Sequence, residues 1–268
     1  MTRTCSKRIL LIGYGAMARE VVARLPDGVR VGWVIVPTEF HAALVSELTP
    51  QGIEVLDSIH QLDAAPDLVL ECAGHAALSE HGIPALQRGW RLAVVSVGAL
   101  ADAALHSQLL NAARDGDAVL QLLSGAVAGM DGLAAAREAG LDEVTYISRK
   151  SPRSWRGSAA QQMIDLDAVA ETTVFFEGNA GEAARAFPAN ANVAATIALN
   201  GMGMEATRVV LMVDPHTRRN THRIHARGAF GEMTIELAAN PLPSNPKTSM
   251  LAALSAVRAC RQLLEPTA

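Results

Sequence analysis

No stretch of this 268-residue chain is apolar over anything near the roughly 20 residues that span a bilayer, so no membrane partner is expected. Its three cysteines, Cys5, Cys72 and Cys260, are far apart and odd in number. That excludes a disulfide framework and a metal-ligand cluster, and it suits a reducing cytoplasm. Positive charge is not in excess: the net charge is −4, which gives nucleic acid nothing to bind. Neither G-x-S-x-G nor H-E-x-x-H occurs, so the hydrolase and zinc-protease chemistries that rest on them are excluded. Aromatics are only 4%, while Ala and Gly are abundant, which predicts helices packed closely on small residues. What remains is 50% hydrophobic and 19% charged, the balance of a compact globular protein of two domains.

The most informative segment is Arg8-Ile-Leu-Leu-Ile-Gly-Tyr-Gly-Ala-Met-Ala18. An apolar strand runs into Gly13, Gly15 and Ala18 on G-x-G-x-x-A spacing. Gly13 permits a tight turn, Gly15 lets backbone approach a pyrophosphate, and Ala18 lets the next helix sit close. A secretory signal shares the basic start and apolar run, but two glycines interrupt the run and Arg19-Glu20 continue an amphipathic helix. Strand-like and helix-like segments then alternate to about residue 122: strands at 8–12, 29–36, 52–56, 68–72, 92–97 and 118–122, helices at 16–25, 39–48, 75–88 and 101–115. This pattern predicts an α/β fold, a Rossmann-type doubly wound parallel sheet with ligands outside the strands' carboxyl ends. Candidate cofactor contacts at those ends are Gly13, Gly15, Ala16 and Met17, then Cys72, Ala73 and Gly74, then Ser96 and Gly98. The carboxylate that binds the ribose of NAD is missing after the second strand, which ends Val36-Pro37-Thr38, and no arginine for the 2′-phosphate of NADP replaces it. NAD or NADP is therefore expected.

The pattern changes near residue 124 to strands at 143–149, 172–177, 209–213, 222–227 and 232–237 among a few helices, which predicts a smaller α+β domain. Domain limits are placed at 1–123, 124–243 and 244–268, the last a C-terminal helix that packs back on the first domain. His222 follows a polar turn, and an imidazole can take and return a proton near neutrality. A hydrogen-bonded histidine on an edge strand fits the same pattern. His225, three residues on, faces the other side of a regular strand. Ser244-Asn-Pro-Lys-Thr-Ser249 reads as a helix entrance with Asn245 as cap, where Lys247 and Thr248 could meet an anion. Asn190-Ala-Asn192 reads as another, with Asn192 as cap, whose amides could hold a carboxamide or a carboxylate. Arg149-Lys-Ser-Pro-Arg-Ser-Trp-Arg156 is a basic run that reads first as a solvated face and second as a dianion site.

Taken together, the glycine turn, Glu71-Cys-Ala-Gly-His75, Ser96-Val-Gly-Ala99, Ser124-Gly-Ala126, Arg149-Lys-Ser-Pro152, Phe187-Pro-Ala-Asn-Ala-Asn192, Asn220-Thr-His222, Gly228-Ala-Phe-Gly231 and Lys247-Thr-Ser249 resemble the L-aspartate dehydrogenase family. The resemblance implies a homodimer that oxidises L-aspartate with NAD(P)⁺ to iminoaspartate, then oxaloacetate and ammonia, without a metal. It makes His222 the catalytic histidine and Ala126 and Asn192 cofactor contacts. Lys247, Thr248 and Asn190 are then candidate substrate ligands. A dihydrodipicolinate-reductase-like imine reductase and a non-catalytic NAD(P)H sensor share the turn and remain alternatives.

Overall fold

Ile9, Leu10, Leu11 and Ile12 are all enclosed in β1 (Lys7–Ile12), so this strand is covered on both faces, as an unbroken apolar run requires. The computed structural model describes residues 6–188 and 191–265, and the side chains of all of these except Pro246 and Lys247. β1 is joined by β2 (Val29–Ile35), β3 (Glu54–Leu56), β4 (Leu68–Glu71), β5 (Leu92–Val94) and β6 (Leu120–Leu122) in a parallel sheet of order β3-β2-β1-β4-β5-β6. The direction of winding reverses between β1 and β4, which is where such sheets open a ligand crevice. The intervening helices are α1 (Ala16–Val22), α2 (Thr38–Leu48), α3 (His75–Gln87) and α4 (Ala103–Asp115). Asp102 caps α4 by accepting from the amides of Ala104 and Leu105.

The chain divides into two compact units, residues up to Leu123 with those from Ala253 onward, and Ser124–Ala252. In the second unit, α5 (Met130–Glu138) precedes β7 (Leu141–Lys150), followed by two short helices, α6 (Pro152–Trp155) and α7 (Ala160–Met163). Then come β8 (Thr173–Asn179), α8 (Ala180–Ala186), α9 (Ala191–Asn200), β9 (Arg208–Val213), β10 (Asn220–Gly228) and β11 (Gly231–Ala239). The mixed sheet has the order β11-β10-β7-β9-β8, with β7 and β9 parallel and the other pairs antiparallel. α8 starts with a reciprocal cap: Asn179 accepts from the Glu182 amide at 2.8 Å and Glu182 from the Asn179 amide at 2.8 Å. The scarce aromatics gather beneath this sheet, where Trp155, Phe175, Phe176 and Phe187 meet edge to face.

Several local expectations are corrected. The segment from Ser244 is not a helix entrance: β12 (Pro241–Leu242) pairs with β13 (Asn245–Ser249), and α10 (Met250–Arg261) starts only afterwards. Asn245 precedes a proline, which disfavours helical backbone, and Leu242, fully buried, anchors the hairpin. Ser249, not Asn245, caps the helix by accepting from the Leu251 amide at 3.2 Å. Residues 244–252 therefore belong to the second unit, while Ala253, Ala256, Val257 and Cys260 of α10 enter the core of the first. Asn192 lies inside the first turn of α9 rather than at its cap. β5 stops at Val94, and Val97–Ala101 forms a 3-10 turn. β10 is flanked on both sides, so His222 is not on an edge strand. Among the described residues no helix is long and apolar enough to cross a membrane, and no cluster of His, Cys, Asp or Glu could hold a metal.

Candidate active site

In the first unit the tips of β1, β2 and β4 border a cleft of about 1000 Å³. Gly13, Gly15, Cys72, Ala73 and Gly74 line it together, with His75 at the start of α3. Gly13 has φ +90, and a Cβ there would lie 2.7 Å from the Ala73 Cβ, so only glycine allows the two strand tips to meet. Gly15 has nothing within 4 Å of where its Cβ would be, which leaves its backbone open to a ligand. Ala16 begins α1, whereas the side chain of Met17 packs against the hydrophobic core.

The second strand tip is organised by Glu71, a fully buried residue. Its Oε1 accepts from the amides of Ala73 at 2.8 Å and Gly74 at 2.7 Å and from the Ser96 hydroxyl at 2.8 Å. Its Oε2 accepts from the Ser96 amide at 2.9 Å. One side chain thus fixes both the β4 and β5 tips, and the Ser96 hydroxyl is committed to it. Gly98 sits buried in the following 3-10 turn. Also lining the cleft, Arg19 stacks over Tyr14 and grips Glu47 through two bonds of 2.5 and 2.8 Å. Arg19, a cation of the cleft lining, is therefore already paired, and the exposed Glu39 lies in the first turn of α2. This cradle of glycines at a switch point fits a dinucleotide.

In the second unit His222 is 5% exposed on β10, in register with Ser148 of β7 and Leu237 of β11. Tyr146, Ser148 and Lys150 alternate along β7, so all three share the face of His222. The Tyr146 hydroxyl and His222 Nδ1 are 2.8 Å apart in a hydrogen bond. The Lys150 ammonium lies 4.7 Å from the centre of the Trp155 ring. Burial, with the Lys150 charge second, pushes His222 down to about 3, so the imidazole is neutral at neutral pH. Burial also pulls Lys150 down to about 8 and raises the Tyr146 phenol well above its usual value. His225 turns to the other face, where it meets Glu232 at 2.8 Å.

The Lys150 shift fixes a pH dependence of stability. Between about 8 and the ordinary lysine value near 10.4 the unfolded chain holds a proton that the folded chain has lost, so stability rises with pH through that window. Below about 8 the cost of the buried charge is present in full. Lys150→Met is accordingly expected to raise Tm at pH 7 by more than at pH 10.5. An equal change at both pH values in thermal melts would contradict it.

The other candidates of the second unit have the following surroundings. Ala126 lies in the loop before α5, half-buried. Asn192, also half-buried, accepts at its carbonyl from the Thr196 hydroxyl at 2.8 Å. The Thr248 hydroxyl accepts from Asn245 at 3.2 Å within the hairpin. Asn190 and the side chain of Lys247 lie outside what is described. Sequence reasoning missed Tyr146 and Ser148, and it read Lys150 first as part of a solvated run. The Tyr-x-Ser-x-Lys alternation on a strand was the available signal.

The C-terminal region of aspartate dehydrogenase matches residues 131–263, and the NAD-binding domain of homoserine dehydrogenase matches residues 13–122. L-aspartate dehydrogenase of Serratia proteamaculans is 64% identical over 259 residues, covering 97% of this chain and 98% of that one. The enzyme of that name from Acinetobacter baumannii is 53% identical over the same shares, and that from Cupriavidus necator 47% identical over 94% and 95%. The crystal structure of aspartate dehydrogenase from Thermotoga maritima has the same fold, with a TM-score of 0.77 at 24% identity over 98% of both chains. A dihydrodipicolinate reductase from Paenisporosarcina, at a TM-score of 0.51 and 15% identity over 96% and 94%, shares the fold more distantly. The alternating strands, the glycine cradle at their switch point and identity of 64% over nearly the whole chain agree: the chain is a pyridine-nucleotide oxidoreductase and belongs to the L-aspartate dehydrogenase family.

Proposed function

We propose that this protein oxidises L-aspartate with NAD⁺ or NADP⁺ to iminoaspartate, which water converts to oxaloacetate and ammonia. The observation that carries the chemistry is a neutral, desolvated His222 with its Nδ1 held by Tyr146. When bound, the oxidised nicotinamide takes a hydride from the substrate α-carbon. Gly13, Gly15 and the Glu71-ordered tip at Ala73 and Gly74 would hold the dinucleotide. His222 takes a proton from the substrate ammonium at Nε2, because Nδ1 is already engaged, passes it to solvent, and, neutral again, takes a proton from the water that attacks the iminium carbon. A dicarboxylate brought beside His222 stabilises the imidazolium and offsets the effect of Lys150. Lys150 supplies a partly buried cation on the same face, and Lys247, Thr248 and Asn190 are proposed to hold the carboxylates.

Initial rates of NAD(P)⁺ reduction with a panel of amino acids at alkaline pH test this reading. L-Aspartate is expected to be the preferred substrate by at least about tenfold, because the site must pair a second carboxylate. Absence of turnover with L-aspartate and both dinucleotides defeats it.

A further inference from the structure

Ser148 Oγ is buried without a hydrogen-bond partner, in a residue 2% exposed, directly across the strand pair from His222. It lies close enough to the Tyr146 phenol to oppose the rise in its pKa, yet short of hydrogen-bond geometry. An orphan hydroxyl in a buried strand interior is costly unless some state of the protein uses it. The phenol supplies that state. For Nε2 of a neutral His222 to act as a base, the ring proton must sit on Nδ1, and the Tyr146 oxygen must accept it. The phenol stays protonated, so its own proton then needs another acceptor. We propose that Ser148 is that acceptor, completing a chain from His222 Nδ1–H to the Tyr146 oxygen and from the Tyr146 O–H to Ser148 Oγ, which selects the tautomer with a bare Nε2.

Tyr146 and Ser148 are thereby positioning residues, and the inference rests on the acid–base reading of His222. The same arrangement serves the imidazolium, so one proton moves onto Nε2 and off again while nothing behind the ring rearranges. The other groups facing His222 leave this assignment intact. Lys150, from β7, is the charge that acts on it. β11 presents Leu237 and Ile235, β9 presents Leu211 and Val213, and α9 carries no ionisable side chain.

The test is Ser148→Ala. Without the acceptor the phenol donates to Nδ1, and the ring proton moves to Nε2. The kcat for L-aspartate is expected to fall about 10- to 100-fold with KM for the dinucleotide unchanged, because the loss is of base function alone. The acid limb of the pH profile moves to lower pH, since the neutral ring is now favoured. Tm changes little, because the phenol exchanges Ser148 Oγ for Nδ1 as its acceptor. ¹⁵N-histidine NMR, with the His222 signals identified by comparison with His222→Asn, is expected to show Nδ1–H in the wild type and Nε2–H in Ser148→Ala. Tyr146→Phe gives the same loss of kcat if it folds. An Nε2–H tautomer in the wild type, or wild-type kcat in Ser148→Ala, overturns the proposal while leaving His222 as the acid–base. Full activity in His222→Asn would instead remove the reading beneath it.

Discussion

His222→Asn is expected to lower kcat for L-aspartate oxidation by about 10²- to 10⁴-fold, the range of a lost general acid–base, while the Kd for NADH changes less than about twofold. The asparagine amide occupies the Nδ1 side of the ring and can still bond to Tyr146 Oη, so the strand pair between β10 and β7 keeps its register. What disappears is the only basic atom of the side chain. The dinucleotide cradle of Gly13, Ala73 and Gly74 is built in the other unit and has no part in the substitution. Initial-rate kinetics paired with NADH fluorescence titration separate the two effects. Wild-type turnover in this variant rules out His222 as the acid–base, and a parallel loss of NADH binding reassigns it to cofactor binding.

Glu71→Gln should destabilise the protein by about 2–3 kcal/mol and weaken dinucleotide binding, although Glu71 is enclosed and touches no solvent. The carboxyl group accepts from three backbone amides and one hydroxyl, and each of its oxygens has donors against it. A glutamine turns one of those oxygens into a donor. If the amide faces Ser96, two donors are opposed at the β5 tip; if it faces Ala73 and Gly74, the β4 tip loses its acceptor. For a chain of this length the loss corresponds to a fall in Tm of about 5–10 °C. Binding suffers because Ala73 abuts Gly13, so a displaced β4 tip changes the shape of the glycine turn. Differential scanning fluorimetry with and without NADH measures both. A variant that melts and binds like the wild type shows that the amides find other acceptors.

The sequence made some of this legible and hid the rest for identifiable reasons. The first unit was readable because each of its signals is local. An apolar run covered on both faces identifies a buried parallel strand, as β1 shows, and glycine spacing identifies the turn that follows it. Resemblance at Asn220-Thr221-His222 and its companions led to the family later shown by identity over 97% of the chain. Ser244–Ser249 misled because Asn245-Pro246 fits two local structures. Asparagine before proline can cap a helix or extend a strand, and the burial of Leu242 decided for the hairpin.

The partners of His222 were out of reach for a different reason. Tyr146 is 76 residues away in sequence, and nothing local to either residue states the pairing. It follows from the register of β10 on β7, which sets His222 opposite Ser148 and so places Tyr146, Ser148 and Lys150 on its face. A slip of one residue would have turned all three away. The same holds for Glu71, whose bonds to Ser96 exist because β4 and β5 are neighbours. By itself the sequence determined the alternating fold, the dinucleotide turn and the family, and it singled out His222 as the candidate base, because strand periodicity, glycine spacing and motif are properties of short segments. Only the tertiary structure decided that this histidine is neutral, desolvated and held at Nδ1, because burial and strand register arise from residues that meet only once the chain has folded.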